Sequence, residues 1–253
     1  MSRMKRETYS LQGGRVIDVR EYLDARYGSR TERAERAKPT EEQIQKVNAR
    51  NKANLCRMRM LEYIKIGDLF ATWTYDPKNR PPNMKAALKD CQKALRRVKK
   101  EYKKRGHEAF WFRNIERGTK GAWHIHLVIN EIGETASILT RAWDKGGTWS
   151  VEIRKSKFYD EDFTKLANYM TKDEHTVEPK KDGTPGKPRL SEASYNHSRN
   201  MPLPKPKVRR LTRWNKNPKP KKGYYIARMY EGINPYTGST YRRYTMIRLN
   251  RRI

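Results

Sequence analysis

The chain of 253 residues is short of cysteine, of long apolar runs and of acidic residues. Its two cysteines, Cys56 and Cys91, exclude a scaffold of several disulfide bonds and suit a reducing compartment. No run approaches the ~20 apolar residues that a membrane-spanning helix needs. The basic N-terminal stretch also lacks the apolar core of a signal peptide. We therefore expect a cytoplasmic protein with no membrane partner.

Basic residues dominate the charge of the chain. There are 58 lysines and arginines against 28 aspartates and glutamates, a formal net charge of +30, and the isoelectric point is about 10.2. A charge of this size makes a polyanion the expected partner, and nucleic acid is the commonest one. An anionic membrane surface is the weaker alternative, because no long amphipathic helix with an aromatic face is evident.

A nucleotide-binding loop is also missing. The sequence GTPGKP at 183–188 superficially resembles one, but its glycine spacing is wrong and Pro188 stands where serine or threonine is needed. Any unwinding of a duplex must therefore come from another protein.

Composition divides the chain into three segments. They are a basic N-terminal arm with a helix (1–66), a central domain (67–200), and a basic, proline-rich linker with a terminal hairpin (201–253). We expect a loosely ordered arm before Pro39, because these residues are dense in charge. Thr40 fits the N-cap of a helix with an acidic first turn, and apolar residues recur at helical intervals until near Gly67.

The last segment carries many lysines and arginines and a single acid, Glu231. Its prolines exclude a helix and predict an extended path over a surface. Two alternating runs after Gly223 predict a hairpin, and a disordered, solvated arm is the alternative.

Several residues of this segment are candidates for contact with nucleic acid. We predict that Arg209 and Arg210 bind phosphates and that Trp214 stacks on unpaired bases. Tyr224 and Tyr225 either stack in the same way or form the core of the hairpin.

The central segment has the clearest periodic patterns. An alternating run at 69–75 is followed by a helical stripe at 84–98, two strands joined by a glycine-containing turn, and a third helical segment. This order predicts an α+β domain, an antiparallel sheet with helices packed on one face.

Two histidines in one predicted strand are candidate metal ligands. His124 and His126 are two residues apart, so both side chains leave the same face, while the residues between and beside them are apolar. The apolar face can pack on helices and leave the histidines at an open face. A structural role for both histidines is the alternative.

The neighbouring strand offers a carboxylate as a third ligand. With a five-residue turn at 117–121, Glu116 shares the histidine face and lies diagonally beside His124; a turn with an even count would place it on the other face. Alternatively, Glu116 pairs with Arg117 or Lys120. Two imidazoles and a carboxylate leave coordination positions open, as in catalytic sites. Non-haem iron oxygenases use the same ligands, but a phosphodiester substrate explains the charge better.

A tyrosine in the third helical segment is the candidate nucleophile. Tyr169 flanks the packed side of this helix, with Lys165 and Lys172 on the same side. A phenol is a weak nucleophile at neutral pH, and nearby ammonium groups favour its reactive phenolate form. Alone, the residue is better explained as a half-buried tyrosine with its hydroxyl in water, and its position just after the candidate metal hairpin reverses this preference.

Together these residues resemble the three motifs of the HUH endonucleases. The run at 70–75, the pair His124 and His126, and Tyr169 with Lys172 occur in the family's order. The chain is most similar to rolling-circle replication initiators of phages, plasmids and related mobile elements, over about 39–206.

The resemblance implies a ferredoxin-like or RRM-like nuclease fold and a DNA nickase. Glu116, His124 and His126 would bind Mg²⁺ or Mn²⁺, Tyr169 would form a 5′-phosphotyrosine bond with single-stranded DNA at a replication origin, and Lys172 would position or charge-balance the phosphate. A host helicase and polymerase would then act, in a bacterial cell. Some initiators have a second tyrosine four residues earlier; Lys165 stands there, so one tyrosine is expected.

Three other functions compete with this one. Relaxases mostly place the tyrosine before the histidine pair, and single-tyrosine transposases share the order found here but are usually shorter. A non-catalytic nucleic-acid-binding module would use the histidines for stacking or structure.

Lys165 would contribute to DNA binding in the nickase.

Overall fold

The computed structural model describes residues 4–23, 40–154, 161–177, 184, 186–233 and 240–249. These residues contain ten strands: β1 (Met4–Leu11), β2 (Val16–Leu23), β3 (Leu69–Thr74), β4 (Trp111–Gly118), β5 (Trp123–Ile129), β6 (Thr148–Glu152), β7 (Leu190–His197), β8 (Lys207–Arg210), β9 (Tyr224–Ile233) and β10 (Thr240–Arg248). The helices among them are α1 (Glu41–Tyr63), α2 (Met84–Lys104), α3 (Thr135–Ala142) and α4 (Thr164–Met170). No helix of this part is long and apolar enough to cross a membrane.

The strands form two antiparallel sheets of five. One has the order β8-β1-β2-β10-β9 and the other β6-β3-β5-β4-β7. The combination of antiparallel sheets and separate helices confirms the predicted α+β class and is consistent with a ferredoxin-like nuclease fold. One predicted sheet is thus two in the structure.

The chain divides into two compact units. One contains Met1–Val47 with Leu203–Ile253, and the other contains Asn48–Pro202. The second unit holds the sheet with the histidine strand, β5.

One face of that sheet builds the main hydrophobic core. Ile125, Leu127 and Ile129 of β5 are fully buried against apolar side chains of α2 and α3. The stripe predicted for α2 packs here, and Asn83 caps the helix by accepting a hydrogen bond from the amide of Ala86. The predicted packing of the apolar strand face on helices is confirmed, which leaves the histidine face for other contacts.

Helix α1 begins as the sequence predicts. Thr40 accepts from the amide of Gln43, and the Gln43 side chain accepts from the amide of Thr40, which is a reciprocal capping box. The apolar residues of the helix divide in two groups, because Met58 and Leu61 are buried whereas its N-terminal apolar residues are about half exposed.

The prediction of a loosely ordered arm is wrong for residues 4–23, which form β1 and β2. Their charges pair across the sheet instead of repelling: Arg6 lies 2.6 Å from Glu21, and Arg243 of β10 lies 3.0 Å from Asp18. Charge density is therefore compatible with a paired strand when opposite charges face each other across neighbouring strands.

The C-terminal hairpin is confirmed as the antiparallel pair β9 and β10. Tyr224 is buried with Ile17, Val19, Tyr244 and Met246, so it belongs to the core of this sheet. The proline-rich linker contains no helix between 203 and 223, and its first part forms the short edge strand β8.

Candidate functional site

The hairpin of β4 and β5 sets the face and register of the predicted ligands. Glu116 lies directly opposite His124, and Asn114 lies opposite His126. The predicted register of β4 against β5 is therefore wrong by two residues, and Glu116 lies opposite His124 rather than diagonally beside it. The predicted face of Glu116 is right. The strands stay paired for longer because Gly121, at φ +80°, closes a tight turn in which Gly118 donates its amide to the carbonyl of Ala122.

His126, on β5, contacts one side chain of β3 and one of α4 through its two ring nitrogens. Its Nδ1 lies 3.0 Å from the hydroxyl of Thr72 on β3, and its Nε2 lies 3.1 Å from the hydroxyl of Tyr169 on α4. The ring of Phe70 packs against both His126 and Tyr169, with centroid distances of 5.8 Å to each. The imidazole is 9% exposed, so its orientation is set by these neighbours.

His124 lies one step further along the same face. Its ring is nearly parallel to that of His126, at 10° and a centroid distance of 6.2 Å. Burial, followed by the proximity of His126, lowers the pKa of His124 below its usual range. A lowered pKa favours the neutral imidazole, which is the form that binds metals.

Glu116 is 3% exposed and has three polar neighbours. Its Oε1 accepts from the side-chain Nδ2 of Asn114 at 3.0 Å, and its Oε2 lies 3.1 Å from Nζ of Lys172 and 3.4 Å from Nε2 of His126. The alternative pairing with Arg117 is not found, because Arg117 pairs with Glu192. Lys172 is the cation that Glu116 meets.

Tyr169 lies on α4, whose packed side is the predicted one. Leu166, Ala167 and Met170 are buried, whereas Tyr169 is 38% exposed. Its ring lies beneath the ammonium of Lys172 at 4.1 Å. The side chain is therefore partly exposed, and its hydroxyl lies 3.1 Å from Nε2 of His126.

A buried ion pair that the sequence did not indicate anchors α4. Arg57 of α1 lies 3.2 Å from Asp162, and both residues are buried. Asp162 also accepts from the hydroxyl of Thr164 at the start of the helix. An Asp two residues before a helix was the available signal, but its partner lies 105 residues away.

Residues 68–174 match the sequence model of a family described as replication-associated protein ORF2. This region is similar to replication-associated proteins. The match spans less than half of the chain and includes Glu116, His124, His126, Tyr169 and Lys172. Searches of curated proteins and of solved structures gave no match.

The imidazole and carboxylate groups in this matched region are of the kinds that bind a divalent metal. Their side chains are not, however, arranged around a common point in this structure. Two imidazoles and a carboxylate share one face, and Oδ1 of Asn114 is buried with no hydrogen-bond partner among the described residues. Within the described ranges, however, no group of three histidine, cysteine or acidic side chains has metal-binding geometry. The ammonium of Lys172 lies against the carboxylate instead.

The predicted DNA-binding residues lie apart from these ligands along the chain. Lys165 is exposed on α4, and Arg209 and Arg210 are exposed on β8, where they alternate between the two faces of the strand. Trp214 is half-buried and packs on the guanidinium of Arg242 at 4.4 Å. A role of these residues in DNA binding stays a prediction.

Proposed function

We propose that the site on the sheet of β3–β7 is a metal-dependent nicking and strand-transfer site for single-stranded DNA, and that it initiates rolling-circle replication. The proposal depends on one arrangement: the Tyr169 hydroxyl lies 3.1 Å from Nε2 of His126, which lies 3.4 Å from the Glu116 carboxylate. An accessible phenol thus faces the residues that suit a metal.

Tyr169 would be the nucleophile. Its phenolic oxygen attacks a DNA phosphorus, the bond from phosphorus to the 3′ oxygen breaks, and the departing 3′ oxygen takes a proton to become a 3′-OH. The fragment downstream of the nick stays bound to the tyrosine through its 5′ phosphate as a phosphodiester, so a later 3′-OH can reverse the reaction. The released 3′-OH serves as a primer for a host polymerase, and a host helicase separates the strands.

Lys172 would assist this attack from above the ring. An ammonium at 4.1 Å from the ring centre favours the phenolate over the phenol. The same group carries a positive charge that balances a phosphate placed beside the hydroxyl.

Glu116, His124 and His126 would hold Mg²⁺ or Mn²⁺. When bound, such an ion would neutralise charge on the phosphate oxygens and so ease attack by an anion. The neutral state of His124 suits this role. The contact of Lys172 with Glu116 must open for the ion to reach the carboxylate.

The charge of +30 supports binding to the DNA backbone, with Lys165, Arg209 and Arg210 among the contacts. The family match favours replication over mobilisation or transposition by the same chemistry. We place the reaction at a replication origin in the cytoplasm of a bacterial cell.

The test is formation of a covalent adduct. The full chain is incubated with Mn²⁺ and single-stranded DNA from its own replicon, and a denaturing gel separates protein bound to DNA. We expect an adduct that is absent in Tyr169→Phe and strongly reduced in His124→Ala. Tyr230→Phe, an exposed tyrosine of the other unit, is the matched control and should keep the adduct.

Two outcomes contradict the proposal. A full-strength adduct in Tyr169→Phe moves the nucleophile elsewhere, with Tyr159, outside the described residues, as the next candidate. No adduct with any divalent metal on the correct DNA means that the chain is a binding module without this chemistry.

A further inference from the structure

Trp149 is an exposed tryptophan beside the proposed reaction centre. All six tryptophans lie in the described part of the chain, and Trp149, at 57% exposure, is the only exposed one. It occupies β6, the edge strand of the sheet that carries the site. A side chain of this size in water is costly unless something covers it.

The register places Trp149 on the face of the site. Thr72 of β3 pairs with Trp149 on one side and with His126 on the other, so all three side chains leave the sheet on the same face. The indole contacts the edge of Phe70 at a centroid distance of 6.3 Å. Phe70 in turn contacts Tyr169 at 5.8 Å.

Trp149 and Tyr169 therefore both contact the same phenylalanine. Their rings cannot be further apart than the sum of the two centroid distances. Each strand of a DNA duplex advances about 3.4 Å per nucleotide along the helix axis, and on this scale the separation is the span of a few nucleotides. A phosphate at Tyr169 brings the bases of its neighbours within reach of Trp149.

The position of Trp149 is fixed by the turn that precedes β6. Thr74 donates its amide to the carbonyl of Gly147, and Asp76 donates to that of Lys145. Gly146 lies against the backbone of Thr74 and Asp76 so closely that a Cβ atom would collide with it. The edge strand is therefore held in register, and the indole is presented at a defined place.

We propose that Trp149 is a base-stacking residue for single-stranded DNA, holding a base next to the phosphate that Tyr169 attacks. Stacking on an aromatic side chain is a common way to bind unpaired bases irrespective of sequence. The excess of basic charge favours nucleic acid over a protein partner. The assignment rests on the proposed function, and its test uses binding rather than cleavage.

The experiment compares two probes of equal length and charge in the full chain carrying Tyr169→Phe, which removes the reaction. One is fluorescein-labelled oligo(dT) of about twelve nucleotides, a length within the usual site sizes. The other is the same sugar-phosphate strand without bases. Fluorescence anisotropy gives the Kd for each.

We expect oligo(dT) to bind more tightly than the abasic strand and Trp149→Ala to weaken oligo(dT) binding about tenfold, a typical value for loss of one stacked base. Affinity for the abasic strand should stay unchanged, because the phosphate contacts remain. Trp149→Phe keeps an aromatic ring and should retain most of the affinity. The melting temperature of each variant should match that of the parent, since the indole is exposed.

Three results overturn the inference. The first is an unchanged preference for oligo(dT) in Trp149→Ala. The second is a large fall in melting temperature, which would make the residue structural. The third is a dimer that dissociates in Trp149→Ala while the DNA affinity is unaltered, which would make it a protein contact. An adduct that forms normally while Trp149→Ala shows no binding defect would contradict only this inference, not the nickase.

Discussion

The ammonium of Lys172 lies 3.1 Å from Oε2 of Glu116 and 4.1 Å from the centre of the Tyr169 ring. One positive charge thus neutralises a buried carboxylate and lies over a phenol. The main-chain carbonyl of Lys172 accepts a hydrogen bond from the side-chain Nδ2 of Asn114, and the same nitrogen also donates to Glu116. The segment after α4 is therefore tied to β4 at two atoms of the same residue.

Replacing Lys172 should separate metal binding from DNA cleavage. In Lys172→Met the competing cation is removed from Glu116, so Mn²⁺ should bind at least as tightly by calorimetry. Adduct formation should fall about 100-fold, the usual loss for one charged group that acts on a transferring phosphate. Lys165→Met, which changes an exposed lysine of α4, is the control for metal affinity. Weaker Mn²⁺ binding in Lys172→Met would show that the lysine supports the metal rather than competing with it.

Removing the hydroxyl of Thr72 should weaken metal binding through His126. Thr72→Val leaves Nδ1 of the imidazole without its partner, and groups of this kind contribute about 10- to 100-fold in metal affinity. Thr74→Val is the matched control, because that hydroxyl bonds to the carbonyl of Gly147 instead. Equal Mn²⁺ affinities for the two variants would contradict the role of Thr72 as a positioning residue.

The pair of Arg57 and Asp162 should be important for stability. Arg57→Met leaves a buried carboxylate without its arginine, which typically costs about 3–5 kcal/mol. Urea denaturation measures the loss. The double variant Arg57→Met with Asp162→Asn should be more stable than Arg57→Met alone, since no buried charge remains. A double variant as unstable as the single one would mean that packing, not charge, decides the effect.

His124 should titrate below an ordinary histidine, whose pKa is about 6.5. Its pKa is lowered in the folded chain, so the unfolded chain binds the proton first as the pH falls. Its contribution to stability is present above the unfolded pKa and is lost on acidification from there through the folded pKa. NMR of the imidazole protons gives the midpoint, and His124→Asn should flatten the acid side of the stability curve. A midpoint at or above about 6.5 would contradict this prediction.

Local patterns were enough to predict several elements of the central segment, but they did not predict how the strands pair. The alternation in β5 and the stripe in α2 depend on periodicity within one segment, and both are confirmed. The register of Glu116 depended on where the turn closes, and Gly121 allowed two more residues to pair than expected. A register shift of two residues leaves every side chain on the same face of the sheet, so Glu116 still lies on the face of the two histidines.

Long-range partners were beyond sequence reasoning. The sequence singled out Lys172 beside Tyr169, but nothing local indicates that this lysine contacts Glu116 or that Arg57 pairs with Asp162. Strands β1 and β2 were not predicted from the sequence, because each charged residue of this segment was treated as unpaired. In the structure, charged residues of these strands form ion pairs with residues on neighbouring strands. Nothing in the sequence distinguishes Trp149 from the other aromatic residues, and only the order of the strands shows that it lies on an edge strand.

The sheet of β8-β1-β2-β10-β9 combines both ends of the chain, and this has a consequence for synthesis on the ribosome. Strand β2 is translated well before β10, its partner in the sheet. The unit with Tyr169 ends at Pro202 and can fold while translation continues. A nascent chain stopped after that point would carry Tyr169 and the two histidines with an incomplete first sheet, its hydrogen-bonding edge open to other polypeptides.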